Sequence, residues 1–262
     1  MSGQDLPPSL ALQCDGATAV LTLSRPHKRN AIDDGTLLGL ERFFAAPPAG
    51  VRAVVLTGSG EHFSAGLDLA ELSGTDIVAG IAHSRMWHRV MAAIESGPVP
   101  VISVLRGAVI GGGLELACAT HIRVAESSAF YALPEGQRGI FVGGGGSVRL
   151  PRLIGTARMV DLMLTGRVYD AEEGHLAGLT QYLVPGDKGL ATALDLAGRI
   201  AGAAPLTTFA VLQALPRIAE AGPAAGLLLE ALMSAIAQGS DEAKTRMQAF
   251  LGGRGPKAGG AA

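Results

Sequence analysis

The sequence predicts an α/β protein with a strand-rich N-terminal part and a helical C-terminal part. Three features point to it. Short β-branched runs at 51–57 and 99–105 alternate with amphipathic helical patterns. Glycines cluster at 58–66, 107–113 and 136–146, between strands and helices, where such proteins hold backbone close to a ligand. After Gly166 helical patterns dominate.

Taken in order, residues 10–14 and 17–24 predict a hairpin turning at Asp15-Gly16, ended by Arg25-Pro26. Residues 36–44 form a short amphipathic helix, broken by Pro47-Pro48. The run 51–57 is a buried strand that stops at Gly58-Ser59-Gly60, and a loop with Phe63-Ser64-Ala65-Gly66 follows. From 80 to 95, Ile81, Trp87, Val90, Met91 and Ile94 recur with charged residues between them, an amphipathic helix ended by Gly97-Pro98. Trp87, the only tryptophan, lies on that face, where core packing is favoured over the alternative of substrate contact. The run 99–105 is a second buried strand, 107–113 a glycine turn, and 114–119 the start of a helix. Short strands are expected at 121–125 and 129–131. Gly143-Gly144-Gly145-Gly146-Ser147 leads into a helix through 150–154, and 156–164 is helical.

Helices are then expected near 171–177, 189–203, 206–220, 223–238 and 241–250, with one strand near 181–184. The domains read as a core of strand-strand-helix units over 1–195 and a helical C-terminal region over 196–251, with no linker-like stretch between them. The segment 252–262, Gly-Gly-Arg-Gly-Pro-Lys-Ala-Gly-Gly-Ala-Ala, reads as a disordered tail. The C-terminal helices carry more Leu, Ala and Met than a domain of this size should expose, which points to burial against a partner subunit.

Composition excludes several classes. With 48% hydrophobic and 17% charged residues in 262, the chain can build a sizeable core, as one large domain or two small ones. The net charge of -2, from 21 basic and 23 acidic residues, and the lack of any block of five Lys/Arg speak against nucleic acid and anionic membrane surfaces. Cys14 and Cys118 lie far apart in apolar contexts and read as buried thiols in a reducing compartment, not a disulfide framework or a metal site. Met1-Ser2-Gly3-Gln4-Asp5 has neither a basic nor an apolar signal region, and no apolar stretch approaches the ~18 residues of a membrane span. A cytoplasmic protein is expected.

The chemistry centres on two glutamates. Glu115 stands in Gly111-Gly112-Gly113-Leu114-Glu115-Leu116-Ala117, and Glu135 in Phe130-Tyr131-Ala132-Leu133-Pro134-Glu135-Gly136. Carboxylates in apolar surroundings have raised pKa values, which suits acid or base work near neutral pH. Two glycine turns, at Ala65-Gly66 and Gly111-Gly112-Gly113, leave backbone N–H groups reachable. Brought together they would form a two-donor oxyanion hole, with a helix dipole adding positive potential at the second turn. Gly112 and Glu115 share a helix face at i and i+3. No Ser-His-Asp arrangement shows a nucleophile-elbow pattern. His27, His62, His83, His88, His121 and His175 include no metal-ligand pair, and Gly-Ser-Gly at 58–60 lacks the Gly-Lys-Ser/Thr of a phosphate loop.

These residues resemble the crotonase, or enoyl-CoA hydratase/isomerase, superfamily. The matching segments, in order, are Ser24-Arg25-Pro26-His27-Lys28-Arg29-Asn30-Ala31; Val54 to Gly60 leading to Phe63-Ser64-Ala65-Gly66-Leu67-Asp68-Leu69; Pro100 to Gly107 followed by Gly111 to Leu116; and Phe130 to Glu135 running on to Gly143-Gly144-Gly145-Gly146. The likeness spans roughly residues 10–250. It implies a spiral of ββα units with a C-terminal helical region that builds trimers, often paired into hexamers, and an acyl-CoA substrate. It assigns the amides of Ala65 and Gly112 to the oxyanion hole, and Glu115 and Glu135 to holding one water, Glu115 activating it for attack at Cβ and Glu135 delivering a proton to Cα. It assigns Arg25, Lys28, Arg29 and Ala31, with Ser64, Gly66, Leu67, Asp68 and Leu69, to gripping the CoA moiety, and adds Gly111, Pro134 and Gly143 as substrate contacts. It implies no metal and no cofactor beyond the CoA that the substrate carries, and a homotrimer or dimer of trimers.

Both acids are present, which favours hydration over the isomerases, which commonly keep one of the two. An isomerase, retro-aldol lyase or thioester hydrolase of the same type is the alternative, and a non-catalytic acyl-CoA-binding scaffold the remote one. The chain departs from many hydratases after Glu135, where it reads Gly136-Gln137-Arg138-Gly139-Ile140-Phe141-Val142. Gly136 and Arg138, and the variable stretch 72–90 with Trp87 and His88, are placed to reshape the acyl pocket.

Overall fold

The computed structural model describes residues 6–72 and 76–253. Met1–Asp5, residues 73–75 of the variable stretch, and 254–262 of the expected tail lie outside the described residues. Two compact units divide between Ala201 and Gly202.

The first unit carries β1 (Leu10–Asp15), β2 (Thr18–Leu23), α1 (Asp34–Ala45), β3 (Ala53–Gly58), α2 (Ile77–Glu95), β4 (Val101–Leu105), β5 (Ala108–Ile110), α3 (Gly112–Ala119), β6 (Ile122–Glu126), β7 (Phe130–Ala132), α4 (Gly146–Ile154), α5 (Thr156–Thr165), β8 (Val168–Asp170), α6 (Ala171–Ala177), β9 (Tyr182–Val184) and α7 (Gly189–Ala201). The division expected near 195 falls inside α7. Its Ala193, Leu196 and Ala197 are buried with Val55, Ile102 and Val104 of the strands, so the helix stays with this unit to its end. The helix expected from 80 begins at Ile77, because the Asp76 side chain accepts the Ala79 amide at 2.8 Å and caps it.

A six-stranded sheet runs β1-β2-β3-β4-β6-β9, parallel throughout except for the β1–β2 hairpin. Along β3, Val54 and Leu56 join one core cluster while Ala53 and Val55 join the other. Successive side chains point to opposite faces, and both faces are covered, which is why the strand reads as an unbroken apolar run. Two sequence expectations fail on burial. Ile81 is 58% exposed, since only the later turns of α2 (Trp87, Val90, Met91, Ile94) are buried. Cys14 is exposed on β1, an edge strand whose outer positions face solvent.

Of a second sheet, β5-β7-β8, only β7 is legible, as the strand expected at 129–131; β5 and β8, three residues each, are too short to show a period, and the pairing of the three leaves no sequence signal. This sheet decides the architecture. The units β4-β5-α3 and β6-β7-α4 each send their first strand to the large sheet and their second to the small one. β5 and β7 are parallel with Ile110 opposite Ala132, so their carboxyl ends lie side by side. The Gly111 amide donates to the Ala132 carbonyl at 3.0 Å just beyond that pair.

The second unit is helical: α8 (Pro205–Phe209), a π turn at Ala210–Ala214, α9 (Leu215–Glu220), α10 (Pro223–Gly239) and α11 (Asp241–Leu251). The single helix expected over 206–220 is interrupted because Pro216 has no N–H for the carbonyl of Leu212. On α10, Leu227, Leu228, Leu232 and Ile236 are exposed. Among the described residues no helix is long and apolar enough to cross a membrane.

Candidate active site

At the carboxyl ends of β5 and β7 the strands turn into the segments that carry the two glutamates. The loop 64–68 is drawn alongside by a parallel bridge from Ser64 to Val109 and by the Ile110 amide donating to the Ser64 carbonyl at 3.1 Å. The turn into α3 passes through Gly111 at φ 52°, ψ -122°, where a side chain is strained. A Cβ at Gly111 would also strike the Glu135 carboxylate, so glycine here lets that group sit against the backbone. A cavity of about 300 Å³ opens at this junction.

Glu115 projects from the first turn of α3 and is 4% exposed. Its Oε1 accepts the amides of Gly144 at 2.8 Å and Gly146 at 2.7 Å. Gly146 opens α4, so the carboxylate also sits at the positive end of that helix. A Cβ on Gly146 would lie 2.8 Å from Glu115 Cγ, so bare backbone is what lets the amides reach the oxygen. Burial pushes the Glu115 pKa from 4.5 to about 6; the two amides hold it down, and the charge of Glu135 adds to the rise. Glu135, 8% exposed, follows β7 and Pro134, and burial raises its pKa as well. Its Oε2 is buried with no hydrogen-bond partner among the described residues. Two carboxyl groups of the same cavity therefore sit in unlike settings, one anchored by two amides of the α4 turn and one with an oxygen left without a partner among the described residues.

The positive counterpart is backbone. The Gly112 amide, at the N-terminus of α3, donates to no acceptor among the described residues. The second expected donor, Ala65, does not qualify, because its amide is taken by the Arg29 carbonyl at 2.9 Å. Leu67 supplies the free N–H instead. In its bridge with Ile32 the bonds run from Ile32 N to Gly66 O at 2.8 Å and from Asp68 N to Ile32 O at 2.9 Å, which turns the Leu67 amide away from that partner. It lies 3.2 Å from where a Cβ on Gly112 would be, so the two free amides adjoin.

The facing wall comes from α2. Trp87 is 3% exposed, and both sequence readings of it hold: it is core-packed, and its ring lines the cavity against Gly112 and Gly144. A Cβ on Gly112 would lie 2.8 Å from Trp87 Cη2. His83 Nε2 pairs with Asp34 Oδ1 at 2.9 Å, and Ser84 Oγ donates to the Gly143 carbonyl at 2.6 Å.

Of the residues singled out from sequence, Ala65, Leu67, Leu69, Gly111, Gly112, Glu115, Glu135 and Gly143 line the cavity. Arg25, Lys28, Arg29, Ala31, Ser64, Gly66, Asp68 and Pro134 are not among its lining residues. Several of these brace the loop beside it. Arg25 pairs with Asp33 and Asp68 at 3.0 Å each and donates to the Ala31 carbonyl at 2.8 Å, while Lys28 pairs with Asp68 at 2.8 Å. Ser64 Oγ donates to the Asn30 carbonyl at 2.8 Å and accepts from the Gly66 amide at 3.1 Å. Sequence reasoning missed Gly144 and Gly146 as the holders of Glu115. The available signal was a glycine run opening a helix, a ready anion site. Among the described residues no group of three His, Cys, Asp or Glu could hold a metal.

This arrangement can bind a carbonyl oxygen at two amides and move protons at the carbons beside it. The comparisons with known proteins agree with that chemistry. The family model described as enoyl-CoA hydratase/isomerase matches residues 13–260. The 2,3-dehydroadipyl-CoA hydratase of Escherichia coli (strain K12) is 34% identical, over 90% of this chain and 93% of that protein. A protein of solved structure from Rhodopseudomonas palustris CGA009 is 57% identical with a TM-score of 0.93, covering 97% of this chain and 98% of its own. The solved enoyl-CoA hydratase of Bacillus anthracis is 30% identical with a TM-score of 0.88, over 95% and 98%.

Proposed function

The chain belongs to the enoyl-CoA hydratase/isomerase family, and we propose that within it this enzyme adds water across the 2,3-double bond of an enoyl-CoA thioester to give the 3-hydroxyacyl-CoA. The observation that carries the proposal is the pair of buried glutamates in one cavity, held in opposite ways beside two free amides. The thioester oxygen accepts from the Leu67 and Gly112 N–H groups. Ionised Glu115, its Oε1 anchored, takes a proton from a water as the water oxygen bonds to Cβ. The double-bond electrons shift to Cα, and the charge that develops on the thioester oxygen meets the two amides. Glu135, whose burial favours the protonated form, gives its proton to Cα, and proton exchange with solvent then restores both acids. Each amide contributes on the order of 10² to 10³ in rate and each acid/base group about 10² to 10⁴.

No cofactor is needed beyond the CoA carried by the substrate. A homotrimer or dimer of trimers belongs to the same proposal, supported by the exposed apolar side chains of α10, as does a cytoplasmic location. The test is absorbance at the enoyl-thioester band with product mass read in parallel, on enoyl-CoAs from crotonyl to longer and aryl-substituted chains. Loss of the band with a mass gain of one water is expected. A shifted double bond, an aldehyde or free CoA in its place would overturn hydration in favour of isomerase, lyase or hydrolase chemistry.

A further inference from the structure

The cavity wall beyond Glu135 carries a cation that transfers no proton in the hydration mechanism, although its charge holds the Glu135 pKa down against the rise that burial causes. Arg138 lines the cavity beside Ile140, Phe141 and Val142, three apolar residues that by themselves would suit an alkyl chain. Its guanidinium makes no hydrogen bond or ion pair among the described residues. Of the other polar side chains of the same lining, His83 pairs with Asp34, Ser84 with the Gly143 carbonyl and Glu115 with two amides, while Trp87 Nε1 and Glu135 Oε2 have no hydrogen-bond partner among the described residues.

The turn that presents Arg138 is braced. The Arg138 and Ile140 amides both donate to the Glu135 carbonyl at 3.0 Å, and the Gln137 side chain donates to the Thr165 carbonyl of α5 at 3.0 Å. Gly136 fits against the Met163 carbonyl where a Cβ would collide. At ~2 Å of rise per residue in such a turn, Arg138 starts about 6 Å of backbone past Glu135. A chain that leaves the thioester and passes the two glutamates therefore meets, within a few carbons, an exposed guanidinium with no hydrogen-bond partner among the described residues.

We propose that the preferred substrates are enoyl-CoA thioesters whose short acyl chain ends in a carboxylate, and that Arg138 selects them. A terminal carboxylate entering a cavity that already holds two acids needs a cation, and the guanidinium fork offers two parallel N–H donors to it. The inference rests on the hydratase reading and goes beyond it in naming the acyl class.

The test compares glutaconyl-CoA with pentenoyl-CoA, which differ in the terminal carboxylate, in the intact protein and in Arg138→Gln and Arg138→Lys. The wild type is expected to favour glutaconyl-CoA in kcat/KM by about tenfold or more, the preference shrinking as salt rises. Arg138→Gln should lower the ratio of the two kcat/KM values by about 10- to 100-fold, mainly through KM for glutaconyl-CoA, and Arg138→Lys should fall between. Equal or better use of pentenoyl-CoA by the wild type, or a ratio unmoved by Arg138→Gln, overturns the selection while leaving hydration intact. Hydration of neither thioester overturns both.

Discussion

Replacing Glu115 by Gln isolates what burying that carboxylate costs the fold. The group's pKa is raised from 4.5 to about 6 on folding. A raised carboxyl pKa stabilises the folded state only while the group is protonated: the contribution is present below 4.5 and is lost as pH rises through about 6. At 1.36 kcal/mol per pH unit, the span from 4.5 to about 6 corresponds to roughly 2 kcal/mol. Glu115→Gln keeps the shape and a carbonyl oxygen for the Gly144 and Gly146 amides but cannot ionise. The stability of Glu115→Gln relative to wild type should therefore rise by about 2 kcal/mol between about pH 4 and pH 8, or ~4–8 °C in relative melting temperature. The assay is thermal unfolding of both proteins across that range by circular dichroism, in which the titrating groups not coupled to Glu115 cancel in the difference, Glu135 being the coupled one. Hydration by the same variant should drop by about 10² to 10⁴. A stability difference flat with pH, or one that moves against the variant above pH 6, would refute the buried-carboxylate account.

Four further outcomes follow from the same geometry. The acid limb of the pH profile of kcat/KM should bend near 6, because activity needs Glu115 ionised, and a limb at the ordinary 4.5 would assign the base elsewhere. Gly146→Ala places a methyl 2.8 Å from Glu115 Cγ and should cut kcat by about 10² or more, read in single-turnover assays; wild-type rates would mean the amide anchor is dispensable. Arg25→Gln breaks two ion pairs beside the Leu67 loop and should destabilise by about 1–3 kcal/mol in denaturant titrations while lowering kcat; a rise in KM with unchanged melting would restore Arg25 as a direct grip on CoA. Trp87, the sole tryptophan, should change its emission as an acyl-CoA fills the cavity, and a flat titration in a turning-over sample would remove its ring from the substrate wall.

What the sequence determined by itself is what depends on near neighbours. Strand β3 is legible because both its faces are covered, which leaves an apolar run; α2 because Trp87, Val90, Met91 and Ile94 recur at helical spacing. Glu115, Glu135, Gly111 and Gly112 could be picked out because carboxylates and bare backbone are unusual in such apolar company. What only the tertiary structure decided is availability. Whether an amide is free to bind a ligand depends on what the rest of the chain has already taken: Arg29, distant in sequence, occupies Ala65, while the bridge to Ile32 turns Leu67 loose. Gly144 and Gly146 became the anchor of Glu115 because α4 begins beside α3, and Ile81 was left exposed because only the later turns of α2 are buried. Periodicity reports which face of an element is apolar; hydrogen-bond pairing across long loops is set by the register of β5 against β7, and strands of three residues leave no local trace of that register.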